Sequence, residues 1–127
     1  MREILFRGKR MDNGEWVEGD LHKNTDFSKA HIHPVGERVR SFDVIPETVG
    51  QYTGLTDKNG NKIFEGDIIE LHFSGARGVV IFDKYCYMLE VHAFGGMERN
   101  IIGEYDKDVL EVIGNIHDNS LEDFYGC

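Results

Sequence analysis

The sequence predicts an all-β protein. Three observations carry this: fifteen glycines against two prolines in 127 residues, turn signals that recur at short intervals, and short runs rich in Ile, Val, Phe and Tyr between them. A helix would repeat its apolar residues at intervals of three and four, and that period is weak throughout.

The first run, residues 3–8, leads through Asp12-Asn13-Gly14 into residues 15–21. Asn-Gly favours a type I′ turn, whose central residues both need positive φ, so an N-terminal hairpin is expected here. Residues 22–40 mix Lys, Asn, Ser, His and Arg without a sustained period and read as a long loop with room for one short strand. Residues 39–45 read as a strand and Pro46-Glu47-Thr48-Val49 as a connector or single helical turn. A second hairpin follows, with residues 50–55 and 62–73 on either side of Asp57-Lys58-Asn59-Gly60.

Residues 79–82 and 85–91 continue as strand, which places Tyr85, Tyr87, Leu89 and Val91 on one face. Residues 109–116 form the last strand, and one helical turn is expected around Ser120 to Phe124. Five or six short strands with tight turns suggest a small SH3-like or OB-like barrel, with an additional N-terminal β-hairpin and long loop. The length suits one domain over residues 1–127, with a subdivision near Pro46 into 1–46 and 47–127.

Charge is uneven. Residues 1–50 carry eight Lys and Arg against nine Asp and Glu, and residues 51–127 carry six against fourteen. An acidic field repels phosphate backbones, so nucleic acid is not the expected partner of the second part. Arg2, Arg7, Lys9 and Arg10 are the basic cluster on which weak nucleic-acid binding would rest, although a solvated face pairing with Glu3 and Asp12 is the commoner arrangement. No apolar run approaches the roughly 20 residues that span a bilayer, and the first ten residues lack a signal peptide's apolar stretch. A cytoplasmic protein without membrane contact is expected. Cys86 reads as a small core residue and Cys127 as a free terminal thiol.

The stretch Val49-Gly50-Gln51-Tyr52-Thr53-Gly54-Leu55-Thr56-Asp57-Lys58-Asn59-Gly60-Asn61-Lys62-Ile63-Phe64-Glu65-Gly66-Asp67-Ile68-Ile69 closely resembles the signature block of the YopX family of bacteriophage and prophage proteins. The opening Arg2-Glu3-Ile4-Leu5-Phe6-Arg7 and the closing Val112-Ile113-Gly114-Asn115-Ile116-His117-Asp118-Asn119 resemble that family's ends. Residues 22–45 and 74–108 match no pattern. The resemblance implies phage or prophage origin and brings no established activity, cofactor or catalytic residue.

Within the chain, Asn13-Gly14…Glu18-Gly19-Asp20-Leu21 is echoed by Asn59-Gly60…Glu65-Gly66-Asp67-Ile68. Duplication of a hairpin and convergence on a strand-entry motif both produce such an echo. On a strand, Glu18 with Asp20 and Glu65 with Asp67 would each set two carboxylates on one face, able to hold a divalent cation. A glycine between them more often marks a bend with solvated or turn-binding carboxylates.

His31 and His33 are the leading metal ligands by alternation, with His22, His72, His92 or His117 as a third nitrogen and Glu65 and Asp67 as carboxylates. Trp16, Tyr52 and Phe64 would make an aromatic platform for a peptide or base, or else pack in the core. Glu104, Asp106, Asp108 and Glu111 form the expected acidic binding face.

No nucleophile has an identifiable base, and no Gly-x-Ser-x-Gly elbow or phosphate-binding loop occurs. The sequence therefore favours a non-catalytic module that binds a host or phage protein, with no cofactor. A metal-dependent enzyme or ligand-binding protein, and a weak nucleic-acid binder, are the alternatives. Exposed strand edges allow a homo-oligomer.

Overall fold

The computed structural model describes residues 4–23, 29–34, 36, 40–93 and 96–119. The predicted turn at Ser120 to Phe124, Arg2 and Cys127 lie outside them. The chain divides into two compact units, Met1–Tyr52 and Thr53–Cys127, with the division inside a strand beyond Pro46. Among the described residues the strands pair antiparallel and there is no α-helix.

In the first unit, β1 (Phe6–Lys9), β2 (Trp16–Lys23), β3 (Ala30–Pro34) and β4 (Phe42–Val44) join the start of β5 (Gly50–Thr56) in the order β4-β3-β2-β1-β5. Alternation sorts the side chains. Ala30, Ile32 and Val44 are buried with Phe6, Val17, Leu21 and Val49 packed on them, while the intervening residues are polar.

The β1–β2 connection differs from the type I′ expectation: Gly14 has φ +74°, and Asn13 does not have positive φ. The loop closes through Gly14 N–H to Arg10 O at 2.9 Å and Arg10 N–H to Glu15 O at 2.8 Å. The Asn13 side chain accepts from Glu15 N–H at 2.9 Å, a local bond that makes the wider loop favourable. The expected loop over residues 22–40 contains β3, and β2 itself extends to Lys23.

In the second unit, β6 (Lys62–Phe64) neighbours β5. A five-stranded sheet follows in the order β10-β9-β8-β7-β11, built from β7 (Asp67–Leu71), β8 (Arg77–Asp83), β9 (Cys86–Ala93), β10 (Gly96–Ile101) and β11 (Leu110–Asn115). Two 3-10 turns, Ile102–Glu104 and Lys107–Val109, bring the chain back to set β11 against β7. One face of this sheet buries Ile69, Leu71, Val80, Leu89, Val91 and Leu110 with Ile63 and Ile102. Burying such side chains supplies about 1.5–3 kcal/mol each.

Among the described residues no ladder closes either sheet, so the all-β class holds while the expected barrel is not found. The expected continuous strand over residues 62–73 is broken by a tight turn at Glu65-Gly66, where Gly66 has φ +93°. The β8–β9 hairpin also corrects the reading of Tyr85 as strand. Lys84 and Tyr85 are its two turn residues, with φ of +50° and +68°, and Asp83 pairs with Cys86. Positive φ at both positions is the type I′ geometry whose twist suits a hairpin, occupied here without Gly or Asn.

Candidate functional site

The segment between β10 and β11 in the second unit carries three of the acidic residues read from the sequence, Glu104, Asp106 and Asp108. The chain reverses after β7 through Gly75 N–H to Leu71 O at 2.7 Å, with Gly75 at φ +77°. That reversal holds Phe73 at the surface, 66% exposed. Tyr105 stacks beside it, ring centroids 6.4 Å apart with an interplanar angle of 21°, and Asn100 Nδ2 donates to its hydroxyl at 3.0 Å. Buried Ile102 anchors the first 3-10 turn. These short turns expose Glu104, Asp106 and Asp108 around the aromatic pair, with Lys107 the basic residue among them.

Glu111, the fourth acidic residue, is turned elsewhere. It sits on β11 directly opposite Glu70 of β7, and His72 follows Glu70 by two residues on the same face. His72 Nε2 lies 2.6 Å from Glu111 Oε1, and His72 Nδ1 lies 3.4 Å from Lys58 Nζ. Glu70 Oε2 accepts from Arg77 Nε at 3.1 Å. Among the described residues, Glu70, His72 and Glu111 are the group of three whose ligand atoms lie within 4.8 Å of one another. Glu70 was absent from the sequence-based candidates, although its alternation with His72 matches the spacing that singled out His31 and His33.

His31 and His33 do share a face of β3, in the first unit. His22 on β2 is the cross-strand partner of His31, and Asp20 of His33. His31 Nδ1 lies 2.5 Å from Asp43 Oδ1 of β4, and His33 Nδ1 lies 3.3 Å from Ser41 Oγ. Glu65 and Asp67 belong to the second unit, where Glu65-Gly66 is a turn and Asp67 opens β7. Asp67 is buried and its Oδ2 accepts from Phe64 N–H at 2.7 Å, closing that turn.

The echoed Glu18-Gly19-Asp20 is a true strand segment with both carboxylates exposed. A Cβ on Gly19 would stand 2.0 Å from His33 O, so the glycine there permits close approach of β3. The two copies therefore do different structural work.

Trp16 carries Arg7 at 4.6 Å and Lys9 at 5.7 Å from its ring centroid. Cations over an aromatic face are held by its quadrupole. Arg10 pairs with Asp12 through both carboxylate oxygens, at 2.9 and 2.6 Å, and that hydrogen bond leads the effects holding the Asp12 carboxyl below its usual range. Tyr52 and Phe64 are buried, which withdraws both rings from an accessible platform.

The residues of the signature block serve the backbone. Thr53 Oγ1 donates to Ile63 O at 2.8 Å. Asp57 is buried; its Oδ1 accepts from Asn59 and Asn61 N–H, both at 2.9 Å, and its Oδ2 from Val112 N–H at 2.9 Å. Burial pushes the Asp57 carboxyl up, but the bonds from Val112, Asn61 and Asn59 outweigh it and hold the group below its usual 3.8.

Two open antiparallel sheets, turn-forming signature residues and a surface of aromatic and acidic groups define an all-β protein whose hallmark residues are architectural. A family model described as YopX protein matches residues 5–122. The chain belongs to the YopX family. No curated protein matches it. No described helix is long and apolar enough to cross a membrane.

Proposed function

We propose that this chain is a non-catalytic protein-binding module of a phage or prophage, acting in the host cytoplasm on a host or phage protein with a basic surface. The observation that carries the reading is Phe73, exposed yet stacked on Tyr105, with Glu104, Asp106 and Asp108 exposed beside the pair. An aromatic anchor within a charged rim is the usual anatomy of an interface: the anchor supplies affinity and the charges supply steering and partner choice. The turn-forming roles of Thr53, Asp57 and Asp67 support the same reading, because they commit the signature residues to the fold.

The test is crosslinking and affinity purification from the host during prophage induction, read by mass spectrometry. A stoichiometric basic partner that is lost when Phe73 is changed to Ala, or when Glu104, Asp106 and Asp108 are all changed to Ala, supports the module. Recovery of the bait alone, or crosslinks only between copies of the bait, overturns it.

A further inference from the structure

Glu70 and Glu111 face each other directly across the β7–β11 ladder. Like charges at opposed positions destabilise a sheet unless a cation stands between or beside them. His72 projects from the same face, and its Nε2, one oxygen of Glu70 and one of Glu111 lie within 4.8 Å of one another. We propose that Glu70, His72 and Glu111 form a binding site for one divalent transition-metal ion of the Zn²⁺ class.

Bonds of about 2.0–2.2 Å from nitrogen and oxygen ligands in a tetrahedral arrangement place neighbouring donors about 3.2–3.6 Å apart. The three donors already lie within 4.8 Å of one another, a separation that side-chain rotation alone can change. Those strands are fixed nearby: Val112 N–H, one residue beyond Glu111, is held by Asp57, and His72 N–H donates to Val109 O at 2.9 Å. Such backing of a short ligand set is what a metal site requires.

An imidazole with two carboxylates suits Zn²⁺, Mn²⁺ or Fe²⁺ better than Mg²⁺ or Ca²⁺, which favour all-oxygen ligation. The side chains of His72 and Glu111 are each about one third exposed, so an ion can reach them from solvent.

Two cations border the group. Arg77 donates to Oε2 of Glu70, one of that carboxylate's two oxygens. Lys58 reaches His72 Nδ1. Satisfying all groups without metal puts the ring proton on Nε2, donated to Glu111, while Nδ1 accepts from Lys58. Metal at Nε2 moves that proton to Nδ1 and expels the ammonium, so Lys58 competes with the ion.

The test is calorimetric titration of the full chain with Zn²⁺, with Mg²⁺ as comparison. One Zn²⁺ per chain is expected, bound at least about tenfold more weakly by His72→Gln and Glu111→Gln. Binding is expected unchanged in the doubly substituted His31→Gln, His33→Gln chain, which places the ion on β7 and β11. It is expected tighter in Lys58→Ala, a gain that misfolding cannot imitate. Absence of binding up to about 1 mM Zn²⁺, retention in His72→Gln, loss only in the His31, His33 variant, or no gain in Lys58→Ala would each overturn the proposal.

Discussion

The Asp57 carboxylate accepts the backbone N–H of Val112 at 2.9 Å, across 55 residues of sequence. The same side chain closes its own turn through Asn59 and Asn61. One buried carboxylate thus joins the β5–β6 turn to β11, at the start of the register shift between Val112 and Gly114. Asp57→Asn puts an amide where three backbone N–H donors and the Asn61 side-chain amide converge, and at least one donor loses its acceptor. The expected loss is about 2–4 kcal/mol of stability, measured by urea unfolding. Asp106→Asn, at an exposed position, should move stability by no more than about 0.5 kcal/mol.

Acid should act through the same residue. The folded pKa of Asp57 lies below the unfolded 3.8, so its contribution is full above the ordinary carboxylate range and disappears as pH falls through the folded value. The stability difference between the native chain and Asp57→Asn should therefore hold from neutral pH downward and narrow only below about pH 3.8. Unfolding curves recorded across that range decide it; a difference that widens in acid contradicts the assignment.

Gly19 makes a sharper structural prediction in the first unit. A methyl group there would meet His33 O at 2.0 Å and Pro34 Cα at 2.8 Å, both of them backbone, so β2 and β3 must part. Gly14 has open space but φ +74°. Gly19→Ala should cost more than about 3 kcal/mol and Gly14→Ala about 1–2. Equal losses in thermal unfolding would mean that strain and not close approach governs both sites.

Much of this was legible because local chemistry and tertiary structure agreed. Alternation placed Tyr87, Leu89 and Val91 on one face, which is the face that packs in the core, and Asp57-Lys58-Asn59-Gly60 announced a turn. The reach of Asp57 to Val112 was not legible, since no local pattern marks a partner so far along the chain. β10 escaped notice because Gly-Met-Glu-Arg-Asn-Ile is an edge strand with little burial and no alternation. The Glu70-His72-Glu111 group was half visible: two ligands two residues apart lie at the end of β7 and just after it, but the third comes from a strand pairing that only the fold reveals. Tyr85 misled because tyrosine favours strands and nothing in its neighbours signals positive φ.

That same hairpin supplies the last prediction. Lys84 and Tyr85 occupy left-handed conformations that cost L-residues about 1–2 kcal/mol each, and Tyr85 is 96% exposed, so burial returns nothing for the strain. Phe82 is exposed beside it and meets Tyr87 edge-on, with ring centroids 5.0 Å apart. Replacing Lys84-Tyr85 with Asn-Gly, the pair best suited to a type I′ turn, should raise stability by about 1–2 kcal/mol. The substituted chain should therefore unfold at a higher urea concentration than the native one. Unchanged or lower stability would show that the native turn is already relaxed.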